Sequence, residues 1–242
     1  MTPTRILLVQ FEKPLQSATL VRRYKRFLAD VILEATNTKL TVHCPNPGAM
    51  LGLAREGERI WLRPAKNPKA KLPFAWELTE LKSGLVGIDT GRPNRIAEEA
   101  ILMGLIPELA GYENCRREVK YGQNSRIDLL LSDKSRPDCY VEIKNVHLER
   151  NKQAEFPDSK TSRGAKHLAE LANVAETGGR AVMLYIVQRM DCISFTLADD
   201  IDPAYGLAFR NARAKGVESV CYDCSITLEG IELRNRLPVA IS

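Results

Sequence analysis

Two carboxylates and a lysine recur at a spacing that suits chemistry on a phosphoester. Arg126-Ile127-Asp128 is followed, 14 residues on from the aspartate, by Glu142-Ile143-Lys144. Both triplets lie in β-prone runs, SRIDLLLS (125–132) and CYVEIKNVHL (139–148), joined by Asp133-Lys134-Ser135-Arg136-Pro137-Asp138 as a hairpin connection. Alternate residues of a strand face one side, so Glu142 and Lys144 project together while Val141 and Ile143 turn away. A register that sets position 128 opposite 142 or 144 brings the aspartate to them. Two carboxylates this close repel unless a cation lies between them, and oxygen donors favour magnesium or manganese. The lysine is then placed to position a water or to neutralise charge growing on a scissile phosphate. For so short a pattern the plain alternative is a salt-bridge cluster on a hairpin.

Three neighbours bear on that choice. Glu98 and Glu99, on a helix predicted to begin after a capping Asn94, each offer a further carboxylate. The segment Phe156–His167 (FPDSKTSRGAKH) sets hydroxyls, amides and cations around a helix N-terminus, a phosphate cradle. On that helix Arg163, Lys166, His167 and Glu170 share a face beside the stripe Leu168, Leu171, Ala172, Ala175. His167 suits proton transfer, although a hydrogen-bonded structural histidine is the commoner case. Gln188 and Arg189 end an apolar run (180–188) and are expected at the rim of a sheet.

The elements that must carry these residues divide the chain in two. A length of 242 residues suits two cores. Short β-prone runs at 28–34, 39–44, 58–62, 73–81 and 86–88, separated by turn residues, predict a five-stranded OB-type barrel over residues 1–90. After Thr90-Gly91-Arg92-Pro93-Asn94 helices alternate with strands, which predicts an α/β (α+β) domain over residues 91–242. The run RAVMLYIVQ (180–188) reads as a strand buried on both faces, and 202–215 and 217–222 as a last helix and strand.

Charge divides the same way. Residues 1–90 hold 14 Lys and Arg against 8 Asp and Glu, whereas the remainder holds 21 against 22. An excess confined to the barrel suits a phosphate backbone, the alternative being a solvated basic face. Its candidates are Arg22, Arg23, Lys25 and Arg26, interleaved with Tyr24 and Phe27, and the cluster Arg63, Lys66, Lys69, Lys71 before Phe74 and Trp76. Phe27 and Trp76 are individually expected in the core. No apolar run approaches the roughly 18 residues of a membrane span, and no secretory leader is read at the start, so a cytoplasmic protein with six reduced cysteines is expected. Cys221 and Cys224 form the one C-X-X-C pair, without the second pair or histidines a zinc site needs.

Several long segments are similar to the sugar fermentation stimulation protein A family of bacteria and archaea: RRYKRFLADV (22–31), HCPNPGAM (43–50), YGQNSRIDLLL (121–131), YVEIKNVHL (140–148), FPDSKTSRGAKHLAEL (156–171) and VQR (187–189). The resemblance implies an N-terminal OB barrel and a PD-(D/E)XK restriction-endonuclease-like domain whose central mixed sheet is flanked by helices. It implies DNA binding with little sequence specificity, a part in maltose metabolism, and a site of Asp128, Glu142 and Lys144 with Glu99, rather than Glu98, as the helix acid. Asp128, Glu142 and Glu99 would then be the metal ligands, and Arg163, Lys166 and His167 would join the barrel's cations on nucleic acid. The family's usual Asn-Thr-Gly-Pro reads Asn46-Pro47-Gly48-Ala49 here, without the threonine hydroxyl. The expected function is a DNA-binding protein that hydrolyses phosphodiesters with Mg2+ or Mn2+. A non-catalytic DNA-binding regulator of sugar genes is the alternative, and a sugar-phosphate phosphatase would leave the basic barrel unexplained. Sequence leaves open RNA against DNA, and monomer against homodimer.

Overall fold

The computed structural model describes residues 9–65, 67, 69–122 and 125–240, so Lys66 lies outside the described residues. After a short strand β1 (Val9–Gln10) come β2 (Gln16–Tyr24), β3 (Leu28–Leu33), β4 (Thr38–His43), β5 (Arg59–Pro64), β6 (Phe74–Leu81) and β7 (Gly84–Gly87). From β2 onward they lie in the order β4-β3-β2-β5-β6-β7, and β4 returns to β6 through His43 and Ala75. Five strands thus close on themselves, with β7 added outside β6. Closure follows from alternation: Ala18 and Leu20, Ala29, Val31 and Leu33, and Ile60 and Leu62 all point inward around Trp76. Trp76 is fully buried and donates its indole N–H to the Leu78 carbonyl at 3.0 Å. Phe27, expected in the core, is 46% exposed. It follows Lys25 and Arg26, both at positive φ, in the β2–β3 turn, which carries the ring out of the barrel.

Next come α1 (Arg92–Leu102), β8 (Asn114–Tyr121), β9 (Ser125–Asp133), β10 (Arg136–Val146), β11 (Leu148–Arg150), β12 (Gln153–Phe156), α2 (Ser162–Glu176), β13 (Arg180–Val187), β14 (Ser194–Leu197), α3 (Pro203–Ala214), β15 (Glu218–Ile226) and β16 (Gly230–Arg236). The main sheet runs β1-β16-β15-β13-β10-β9-β8, parallel at its centre (β10, β13, β15) and antiparallel outside. A small sheet, β11-β12-β14, lies beside it. β1 pairs with β16 at Val9 and Ile231, so the region read as barrel begins with a strand of the other sheet. The pairing is close: a Cβ on Gly230 would stand 2.3 Å from the Val9 carbonyl oxygen.

β13 is the spine of this domain. Its alternate residues feed two cores: Val182, Leu184 and Ile186 pack with α1 and the barrel's Leu78, whereas Ala181, Met183, Tyr185 and Val187 pack with α2 and α3. That two-sided burial is why the run lacks polar residues. Truncating Leu184 to alanine should cost about 2–5 kcal/mol. Cys221 and Cys224 fall in the opposite cores, and all six cysteines are free thiols.

Helix starts were partly legible. Thr161 caps α2, its hydroxyl accepting from the Gly164 amide at 3.1 Å. Asp202 caps α3 with one carboxylate oxygen, on the Tyr205 amide, and takes the Thr161 amide with the other, tying the two helix N-termini together. α1 departs from expectation. It begins at Arg92 rather than after Asn94, because Pro93 fits a first helical turn, where its missing N–H costs nothing.

Candidate metal and nucleic-acid site

Glu142 sits on β10 facing α2, while its neighbours Val141 and Ile143 enter the core under α1, as strand alternation requires. It is 2% exposed. Its Oε1 accepts from Lys144 Nζ at 2.6 Å and from His167 Nδ1, and its Oε2 is buried with no partner. Burial, the largest influence, would raise the Glu142 pKa, but the His167 bond and the Lys144 charge outweigh it and hold the carboxylate below its ordinary range. His167 Nε2 accepts from Arg163 Nε at 3.3 Å. With Nε2 accepting from Arg163, Nδ1 is the donor that fixes the Glu142 carboxylate.

Asp128 is held from two sides. The β9–β10 ladder pairs Val141 with Leu129 at its end, and continuing that register sets Asp128 opposite Glu142. There the Asp128 Oδ2 takes the Ile143 amide at 2.8 Å, and Oδ1 takes the Asn94 side-chain amide at 2.9 Å. Burial first, and then the Glu142 charge, push the Asp128 pKa up; the Ile143 amide, Lys144 and Asn94 oppose them. Asp128, Glu142 and Lys144 are therefore brought together. Glu99 is not: its carboxylate accepts from Arg95 Nε at 2.7 Å on its own helix, and Glu98 pairs with Arg117. Helical phase is the reason, since Asn94 and Glu98 lie one turn apart on one face and Glu99 is about 100° further round.

The donor set fits a hard divalent cation: the half-buried Asp128 carboxylate and the buried Glu142 carboxylate, the latter with an oxygen that has no other partner. Among the described residues no group of three His, Cys, Asp or Glu side chains forms a cage for a metal.

The basic residues divide by task. Arg23 donates from Nη2 to the carbonyls of Asn46 and Gly48, each at 2.8 Å, and Arg26 donates from Nε to the Pro47 carbonyl at 3.2 Å. Both clamp the 44–50 loop, Arg23 half-buried and Arg26 exposed. Arg22 bonds Asp30 at 2.8 Å with most of its side chain in solvent, and Lys25 is exposed. Arg63 and Arg92 converge on Glu77, which is fully buried, so Arg63 neutralises an internal acid between the domains. Lys69 and Lys71 are exposed. Arg163 and Lys166 are exposed on α2, whereas His167 is buried and does not face a nucleic acid.

The most informative surprise is a polar junction between the domains. Asp158 Oδ2 accepts the Met50 amide at 3.0 Å and bonds His147 Nε2 at 3.1 Å. His147 Nδ1 meets the Asn145 side-chain amide at 2.9 Å, and Asn145 Oδ1 accepts from Gln188 Nε2 at 2.7 Å. Gln188 and Arg189, expected at the rim, are buried: Gln188 also donates to the Asp89 carbonyl, and Arg189 to the His147 carbonyl and to Asp191. Gly48 is required here, because a Cβ would stand 2.6 Å from Asp158 Oδ2. The segments HCPNPGAM, VEIKNVHL, FPDSK and VQR thus meet at one place. Their contacts link the exposed basic turn with Phe27, the 44–50 loop, Asp158, the start of α2, His167 and Glu142.

A closed OB-type barrel joined to a mixed sheet with helices on both faces, with an acid–lysine pair on its central strands, defines a protein of OB-plus-restriction-endonuclease-like architecture. Residues 21–88 match the SfsA N-terminal OB domain, and residues 91–230 match the sugar fermentation stimulation protein RE domain. The chain belongs to the sugar fermentation stimulation protein (SfsA) family. It is 54% identical over 235 residues to the sugar fermentation stimulation protein homolog of Roseobacter denitrificans, covering 96% of this chain and 100% of that protein. The homolog of Jannaschia sp. (strain CCS1) is 56% identical over 234 residues, covering 96% and 97%. Among solved structures, SfsA of Pyrococcus furiosus in complex with Ca2+ superposes with a TM-score of 0.87 at 26% identity, over 98% of this chain and 100% of that one.

Asn94, His147, Asp158 and Tyr121 do not stand out as site residues in the sequence. Asn94 reads as a cap, and the neighbours of the others are distant in the chain. The one signal was that most of them lie inside the long family segments.

Proposed function

We propose that this protein is a cytoplasmic DNA-binding protein that engages DNA with little sequence preference and hydrolyses phosphodiesters at Glu142 with magnesium or manganese. The observation that carries this reading is the Glu142 carboxylate: buried, fixed through one oxygen by Lys144 and His167, and left without a partner on the other. A charged oxygen stripped of water and unpaired inside a protein costs about 1–3 kcal/mol or more, which a bound cation removes. A divalent ion held by Asp128 and Glu142 would polarise a phosphoryl oxygen and lower the pKa of a bound water. The calcium bound by the Pyrococcus furiosus relative supports a hard cation. Asn94 and the Ile143 amide orient Asp128, His167 orients Glu142, and Lys144 keeps a positive charge beside both acids.

DNA is the partner that best matches the charge segregation. The exposed turn with Arg22, Lys25, Arg26 and the Phe27 ring supplies cations for phosphates and a face for a base. Arg163 and Lys166 continue that surface on α2.

The test is incubation of linear, nicked and single-stranded DNA, and of RNA, with the protein and Mn2+ beside Asp128→Ala. Cleavage by the native protein alone is expected. Equal inertness of both proteins on every substrate overturns hydrolysis. It would leave the second reading, a DNA-binding regulator of sugar (maltose) metabolism genes, which is favoured by both Asp128 oxygens being already engaged inside the protein.

A further inference from the structure

The helix whose His167 grips Glu142 carries a second acid that the fold buries and leaves without a hydrogen bond. Glu170 is on the buried face of α2 one turn beyond His167, the residue that grips Glu142. It is 8% exposed, and neither carboxylate oxygen has a hydrogen-bond partner. Lys166 Nζ lies 3.7 Å from Oε1, on a side chain half in solvent. Glu170 abuts the end of β8, where a Cβ on Gly122 would stand 3.2 Å from its carboxyl carbon. The preceding residue, Tyr121, is 9% exposed and its hydroxyl is likewise buried without a partner.

Four buried polar atoms without a hydrogen bond (Glu142 Oε2, both oxygens of Glu170, and the Tyr121 hydroxyl) thus belong to three residues, one on β10, one on α2 and one at the end of β8. Buried polar atoms are nearly always paired, and a cluster of exceptions with net negative charge calls for a cation and its water. Magnesium-like ions suit the place, because they bind through one or two carboxylates and keep several waters.

We propose that Glu170 is a ligand of the cation held by Glu142, so that the extra acid sought on α1 at Glu99 is delivered instead from α2. The Tyr121 hydroxyl holds a water bound to that cation. The proposal rests on the metal-binding reading above and goes beyond it in naming the ligand and the side from which it comes.

Titration of Mn2+ into the full-length protein, followed by calorimetry, separates the two. The native protein binds Mn2+, Glu142→Gln loses the binding, and Glu170→Gln weakens it by tenfold or more. No binding by the native protein, or undiminished binding by Glu142→Gln, overturns the metal reading and the proposal with it. Loss in Glu142→Gln with native affinity in Glu170→Gln overturns the proposal alone. Thermal unfolding without metal checks for a structural role. Removing a buried charge that has no hydrogen bond should leave the Tm of Glu170→Gln and Glu170→Met at or above the native value, and the Mn2+-induced rise in Tm should shrink. A metal-free Tm below native in both variants, or failure of both to fold, shows that the carboxylate serves the fold and overturns the proposal.

Discussion

Replacing Asp158 with asparagine should uncouple the barrel from the nuclease-like domain to an extent that the structure sets. Asp158 bonds the Met50 amide of the barrel and His147 of the larger domain, and its side chain is 16% exposed. Burial is the largest influence on its pKa and would raise it; the His147 bond and charge, the Met50 amide and Ser159 outweigh burial and bring it from 3.8 to about 2. At about 1.4 kcal/mol per unit, this difference is worth about 2.5 kcal/mol of stability at neutral pH. The sign follows from the folded pKa being the lower one. The stabilisation is complete above the unfolded value of 3.8 and is lost as pH falls toward about 2, with about half of it gone by pH 3. Asp158→Asn lacks that titration. Its Tm at pH 7 should be lower than native by about 5–10 °C, from roughly 2–4 °C per kcal/mol for a chain of this size. Urea unfolding of the two proteins, repeated at intervals from pH 7 to pH 3, should show the gap between their midpoints narrowing on the acid side. A gap absent at pH 7, or of constant width down to pH 3, would refute the latch.

The remaining predictions concern the site and the binding surface. His167→Ala removes the donor that fixes Glu142 and should weaken Mn2+ binding about 10–100-fold, with partial recovery in His167→Asn, read by calorimetry. Asn94→Ala frees Asp128 Oδ1 and should lower Mn2+-dependent cleavage about 10–100-fold while leaving DNA affinity at the native value, compared in cleavage and binding assays on the same duplex. Reversing Lys69 and Lys71 together should flatten the dependence of log K on log salt by about 2 if both meet phosphates. Arg23→Ala should instead lower stability by about 1.5–3 kcal/mol, because its guanidinium holds backbone carbonyls, measured by urea unfolding.

The division between these effects follows from what was legible at each level. The hairpin that carries Asp128, Glu142 and Lys144 could be read directly, because strand alternation has period two and its partners are close in sequence. The buried spine at 180–187 showed in an unbroken apolar run, and the α2 cap in Thr161. β1 and β16 were not foreseen, since their pairing joins the two ends of the chain and neither strand has a pattern of its own. Gln188 and Arg189 looked like rim residues because a local pattern cannot report a buried polar partner 40 residues away.

Composition and spacing alone determined that this chain has a basic barrel, a two-faced sheet and an acid–lysine pair, since each rests on periodicity or on a sum of charges. Only the tertiary structure decided which acids share a site. Helix phase turned Glu99 toward Arg95 and gave Asp128 to Asn94, and the packing of α2 on the sheet set His167 on Glu142 with Glu170 one turn further along. Which charges are free is likewise a property of packing: Arg23 and Arg63 are spent inside the protein, whereas Lys25, Lys69 and Lys71 stand in solvent. Sequence lists the charged groups, and burial and partner geometry assign their work.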